Sequence, residues 1–276
     1  MKKKGYYILF IPCVILVAYF MIVPLIGTIL PTFTNTTDGM FSAYTSFFKD
    51  EYMMSIFIRT IKISLLSSII CMFIGVPVAY FISRTSKKLR GLFIALTVFP
   101  ILTNSVVRSF AWMSILGKNG VINSILMKLN LISEPLSLLY TEGAIIIGTV
   151  YIFLPLMIIS LVGVMENVEN DLLEAAESLG ANKLKAFFKV IFPLSLPGLI
   201  VGTVLVFTGS LTAYTTPQLL GGNKNTVLAT LIYQKTMTLG DWQGAAVVAT
   251  IMIIVTLMVI KGINFLASRL DKRGVS

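Results

Sequence analysis

Twenty-one consecutive residues, Ile63 to Ser83, contain no Asp, Glu, Lys or Arg, and five other stretches approach the same condition. About 20 mostly apolar residues suffice for a helix to cross the hydrocarbon core of a bilayer. The other stretches are roughly 6–30, 92–116 (interrupted by Arg108), Gly143 to Met165, roughly 198–219, and the run from after Asp241 to about 266, with Lys261 near its end. Only 12% of the 276 residues are charged, against about 25% in a soluble domain. That is too little charge to cover a water-facing surface. A soluble enzyme, a nucleic-acid-binding domain and a disordered tail protein are therefore excluded. The expectation is an all-α integral membrane protein with six transmembrane helices and lipid around most of its outer face.

The net charge of +10 fits basic residues gathered at the cytoplasmic ends of spans and calls for no nucleic acid. With six spans both termini share one side. That side holds thirteen basic residues: Lys2–Lys4, Arg84, Lys87, Lys88, Arg90, Lys183, Lys185, Lys189, Arg269, Lys272 and Arg273. The other holds seven: Lys49, Arg59, Lys62, Lys118, Lys128, Lys224 and Lys235. Both termini are expected to be cytoplasmic. The first apolar run is longer than a signal-peptide core and has no A-x-A-like site after it, so it reads as an uncleaved first span.

Several chemistries are missing. There is no His, and Cys13 and Cys71 both sit in apolar runs, which leaves neither a disulfide framework nor a Cys/His metal site. No G-x-x-x-x-G-K-[ST] cradles a nucleotide. No catalytic group and no cofactor is expected. No Asp or Glu interrupts a span, whereas proton-coupled transporters carry ionisable relays there. An ion-coupled carrier built on backbone carbonyls stays open as an alternative.

Prolines 12, 24, 77, 100, 155 and 217 fall inside the apolar runs. They either bend helices around a gate or reflect the abundance of Pro in membrane helices. Gly198 and Gly202 form a G-x-x-x-G that favours close helix packing. Arg108 is the charge set firmly in a span, with Asn104 four residues before it. On one continuous helix the two would share a face, where they either line a polar path or let Arg108 snorkel to the headgroups.

Residues 166–193 should form two short helices. Asn170 or Asp171 can cap the first, and Gly180 can stop it. The second, with Lys183, Lys185 and Lys189, should end at Pro193. Leu172, Leu173, Ala176 and Leu179 suggest an apolar stripe, and Ala175 and Ala176 keep the helix slim. The pair is either a plain connector or a docking element for another protein. Gly221-Gly222-Asn223-Lys224-Asn225 is either an ordinary turn or a loop that enters a partner's cleft. Asp241-Trp242 reads as an interfacial anchor.

Glu174-Ala175-Ala176, with Gly180 four residues on and Pro193 ending a basic helix, resembles the E-A-A loop of type I ABC importer permeases. Phe192 stands where that pattern has Leu. The segments Gly75–Tyr80, Pro100–Arg108, Ala213–Gly222 and Asp241-Trp242 are most similar to the spermidine/putrescine branch. The resemblance implies the type I permease fold, with a first helix and external loop in 1–60, the transmembrane domain in 61–268 and a cytoplasmic tail in 269–276. It implies a bacterial inner-membrane location. Glu174, Ala175, Ala176 and Gly180 would couple the chain to separate ABC ATPase subunits. A second homologous permease subunit and an extracytoplasmic solute-binding protein would complete the importer. Asn104, Arg108 and Tyr214 would belong to the translocation path, and Gly221, Gly222 and Asn223 to the binding-protein contact. The cargo implied is a polyamine, although the spans offer no carboxylate and Arg108 would repel a cation; another small solute is the alternative.

Overall fold

A computed structural model describes the backbone over residues 4–34 and 39–271, and the side chains over 11–34 and 39–265. Lys2, Lys3, Lys272, Arg273 and the rest of the tail to residue 276 lie outside the described residues, as do the side chains of Lys4 and Arg269. Among the described residues every regular element is helical. In chain order these are α1 Lys4–Ile29, α2 Pro31–Thr34, α3 Ser42–Lys49, α4 Glu51–Ser83, α5 Lys87–Leu102, α6 Ser105–Leu116, α7 Val121–Lys128 and α8 Glu142–Met165. There follow α9 Asn170–Ser178, α10 Lys183–Ala186, a π-helical stretch Phe187–Ile191, α11 Phe192–Leu194, α12 Leu196–Thr212, α13 Thr215–Gly221, α14 Leu228–Tyr233, a second π stretch Gln234–Thr238, and α15 Trp242–Asp271.

Four of these segments are long and apolar enough to cross a membrane: Ile11–Thr34, Glu51–Ser83, Glu142–Met165 and Trp242–Phe265. The third and fifth expected spans are bent pairs. Lys87–Leu102 meets Ser105–Lys128 at 93°, and Lys183–Leu194 meets Leu196–Thr212 at 67°. The straight third helix expected over 92–116 is thus corrected to two helices joined at Thr103-Asn104. The second helix of the 166–193 segment runs through Pro193 to Leu194 and turns at Ser195. Pro193 and Pro197 each lack an N–H, so two successive turns lose a rung and the axis changes direction there. The fifth run also ends sooner than 219, because α12 stops at Thr212 and α13 starts after Tyr214.

α4 begins twelve residues before Ile63. Asp50 caps it, accepting from the N–H groups of Tyr52 (2.8 Å) and Met53 (3.1 Å), which satisfies two of the orphan donors of its first turn. Arg59 and Lys62 therefore belong to the helix. Both reach Glu142 at the start of α8, at 3.2 and 2.8 Å. Thr141 caps α8 through Ala144 N–H.

The chain divides into two compact units. One comprises the described part of Met1–Ser55 with Leu231–Ile254. In it Thr32 and Tyr44 share a hydroxyl hydrogen bond of 2.6 Å, and Phe33 stacks on Tyr44. The other comprises Ile56–Thr230 with the described part of Val255–Ser276. Its core lies between α4, α8 and α12, where Cys71, Ala79, Met157, Leu161, Met165, Ile191, Leu199 and Val206 are buried together. The G-x-x-x-G reading is borne out in this unit. A Cβ on Gly198 would stand 2.6 Å from Ser160 O, and one on Gly202 would stand 3.2 Å from Met157 Cα. α12 packs against the α8 backbone because those two side chains are absent.

Candidate functional site

The E-A-A hairpin is built from α9, a turn and the α10–α11 segment. α9 ends in a Schellman motif: Gly180 N–H donates to Glu177 O (2.9 Å) and Ala181 N–H to Ala176 O (3.0 Å). Gly180 sits at φ +84° with open space where a Cβ would stand. A side chain there would meet no clash, so any cost of substitution is backbone strain. α9 stops at Gly180, as its sequence leads one to expect. The cap differs from the expected one. Glu169 occupies the cap position and makes no side-chain cap bond; Asn170 is the first residue of the helix, and its Oδ1 accepts from Arg84 Nη1 at 2.6 Å. Asn182 caps the second helix by accepting from Lys185 N–H.

The expected stripe of four apolar residues is split. Leu173 packs against the α4–α8–α12 core and Ala176 is half-buried. Leu172 is exposed, and Leu179 is 90% exposed. Consecutive residues on a helix point about 100° apart, so Leu172 cannot share Leu173's direction. No residue of α9 is buried. Glu174, Ala175 and Glu177 all face outward with Leu172, and the helix shows most of its surface to whatever lies beyond it.

Two arginines treated above only as topology charges hold the hairpin to the spans. Arg84 Nη1 also donates to Val168 O (2.9 Å), and Nη2 donates to Met165 O at the end of α8 (3.4 Å). Arg90 Nη1 pairs with Glu166 Oε1 at 2.7 Å, while Nη2 donates to Ser83 O and Thr85 O. Only a search for partners of the Glu166–Asn170 link would have found these roles in the sequence. Beside them, Met72, Phe73, Val76, Pro77 and Tyr80 on α4 face Leu184, Phe187, Phe188 and Phe192 across an apolar groove of about 640 Å³.

Asn104 and Arg108 are not neighbours on one helix. Asn104 caps α6 by accepting from Val106 N–H (2.9 Å) and Val107 N–H (3.3 Å). Arg108 folds back onto the preceding helix, where Nη1 donates to Pro100 O (2.8 Å), Thr103 O (3.1 Å) and Thr103 Oγ1 (3.2 Å). The guanidinium caps the negative end of α5, and the residue is only 7% exposed. The structure therefore sets both residues at the junction of the bent pair. Tyr214 is half-buried at the start of α13.

The 221–225 loop is held in place. Asn225 Nδ2 donates to Tyr140 O (2.7 Å) and Gly221 O (3.1 Å), and Tyr140 N–H donates to Leu220 O. Gly221 is buried and Gly222 is half-buried against the Tyr140 ring, whereas Asn223 and Lys224 are exposed. Of the three residues expected to meet a binding protein, Gly221 has no surface with which to do so, and the available surface is Asn223 with Lys224. In the other unit a cavity of about 320 Å³ is lined by Ser46, Asp50, Lys235, Asp241 and Gln243, among others. Both carboxylates are engaged there. Asp50 caps α4, and Asp241 accepts from Lys235 Nζ and Gly244 N–H, each at 2.8 Å.

The family described as "binding-protein-dependent transport system inner membrane component" matches residues 71–273. The spermidine/putrescine transport system permease protein PotB of Haemophilus influenzae is 33% identical over 265 residues, covering 93% of this chain and 92% of that protein. PotB of Escherichia coli K12 is 34% identical over 227 residues, covering 82% of each. Among solved structures, a bacterial alginate ABC transporter in complex with an alginate pentasaccharide-bound periplasmic protein superposes with a TM-score of 0.81. That match has 19% identity and covers 98% of this chain and 96% of that one. The chain belongs to the inner-membrane permease family of binding-protein-dependent ABC importers.

Proposed function

We propose that this chain forms one half of the translocation path of a polyamine importer. Separate ATPase subunits drive it, and they grip the α9 hairpin. A second permease subunit completes the path, and an extracytoplasmic binding protein delivers the cargo. Counting each bent pair as one crossing gives six spans, and the excess of basic residues beside Arg84 and Lys183 supports a cytoplasmic hairpin and cytoplasmic termini. Residues 61–268 then make up the moving domain.

One observation carries this reading. α9 is an exposed helix whose outward side chains make no hydrogen bond or ion pair among the described residues, yet whose base is fastened to the ends of α4 and α8. A surface of that kind transmits force without itself doing chemistry. Glu174, Ala175, Ala176 and Gly180 form the grip. Asn104, Arg108 and Tyr214 stand at helix junctions that open and close the path. Asn223, with Lys224 beside it, faces the binding protein.

The polyamine assignment rests on the PotB relatives. The objection that Arg108 would repel a cation weakens, because its charge is turned onto the carbonyls of Pro100 and Thr103. A second reading, a permease for a different small solute, is favoured by the alginate transporter's having the same fold.

The test is to express the chain with its partner subunits and to replace Gly180 by Val and Glu174 by Ala. Left-handed backbone strain costs a residue with a Cβ about 1–2 kcal/mol, roughly a tenfold effect on a docking equilibrium. The Gly180→Val subunit should insert normally, lose about that much co-purified ATPase, and import correspondingly less radiolabelled spermidine. Undiminished ATPase binding in both variants, or uptake by this chain alone without ATP, would overturn the proposal.

A further inference from the structure

Resting on that coupling reading, we propose that Arg84 is the positioning residue that makes the cytoplasmic end of α4 and the coupling helix α9 move as one body. The guanidinium gathers acceptors from three places: Met165 O at the end of α8, Val168 O in the link, and Asn170 Oδ1 in the first turn of α9. Its Cζ lies 5.8 Å from the Tyr80 ring centroid one turn earlier on α4, and Tyr80 meets Phe187 edge-on at 4.9 Å. Both legs of the hairpin are thereby tied to the last turns of one span. Arg90 fastens the next helix to Glu166 at 2.7 Å.

The physical need for such a tie is specific. Four residues, Glu166 to Glu169, join α8 to α9. Left to itself a short link lets a helix swivel, and a swivelling handle dissipates the displacement imposed on it. A planar fork with several fixed donors removes that freedom in a way that a flexible point charge does not. Two of the bonds end on backbone carbonyls, so they follow the backbone of the link, and the third ends on the Asn170 side chain in the first turn of α9. Among the described residues Arg84 makes no hydrogen bond to the outward side chains of α9. Its role is to keep the angle between handle and lever constant.

Two measurements test this. Cys13, which is exposed, is replaced by Ser; Cys71 is buried and unreactive to label. Spin labels are placed at Phe81→Cys on α4 and Leu172→Cys on α9, both exposed positions. The distance distribution should be narrow in the otherwise unaltered protein and should broaden in Arg84→Gln and Asn170→Ala. In the assembled transporter the same variants should retain ATP hydrolysis while the ATP consumed per solute imported rises about tenfold, and Arg84→Lys should fall between them and the unaltered protein. An unbroadened distribution in both variants overturns the tie. Parallel loss of hydrolysis and uptake overturns its transmission role. If no ATPase binds even the unaltered chain, the coupling reading fails, and the distance measurement still decides whether Arg84 fixes the hairpin.

Discussion

Asp241 shows how a single side chain carries structure without carrying chemistry. The Lys235 ammonium, bonded to one carboxylate oxygen, holds the group below the usual carboxylate range. Burial pushes it up, and the Gly244 N–H bonded to the other oxygen pulls it down again. A carboxylate with a lowered folded pKa adds stability above its ordinary value and loses it as the pH falls through the folded one. The Asp241 side chain is 41% exposed, so solvent limits the contribution to less than about 1 kcal/mol. Thermal unfolding from pH 7 to pH 3 should therefore show Asp241→Asn melting lower at neutral pH and the gap closing under acid. A gap independent of pH would mean that the charge is not what Asp241 supplies. Among the candidate residues, Gly180 could be read from sequence because its role depends only on its own φ. Arg84 and Arg90 could not, because most of their acceptors are backbone carbonyls, which every residue possesses, and their side-chain partners Asn170 and Glu166 lie some eighty residues away.

Among the helices, α8 and α15 were legible because each opens on a long uncharged apolar run that begins beside an acidic residue, Glu142 or Asp241. The start of α4 was hidden. Arg59 and Lys62 look like loop charges until Glu142, some eighty residues on, is placed beside them. The bends were hidden for a different reason: hydropathy averages over residues and carries no record of backbone direction. At the 93° junction Asn104 and Arg108 cap the two helix ends. Removing such a cap typically costs about 1 kcal/mol. Asn104→Ala should lower the stability of the purified protein by about that amount, and Asn104→Asp, which keeps the acceptor, should be close to neutral. Equal losses in calorimetric melting would assign Asn104 some role other than capping.

For the whole molecule, the loops offer labels for each side of the membrane. A cysteine at Leu179, 90% exposed at the end of α9, should react with a membrane-impermeant thiol reagent only in inside-out vesicles. One at Asn223, exposed in the 221–225 loop, should react only in intact spheroplasts. The reverse pattern would invert the topology and remove the hairpin from reach of any ATPase. The Schellman turn has a last consequence. Its shape comes from two backbone hydrogen bonds and one left-handed residue, and the outward faces of Leu172, Glu174, Ala175 and Glu177 have no duty inside the chain. Those side chains are free to drift in step with whatever motor they meet, without disturbing the fold that presents them. Duplicated copies of such a gene can acquire separate engines by surface mutation alone.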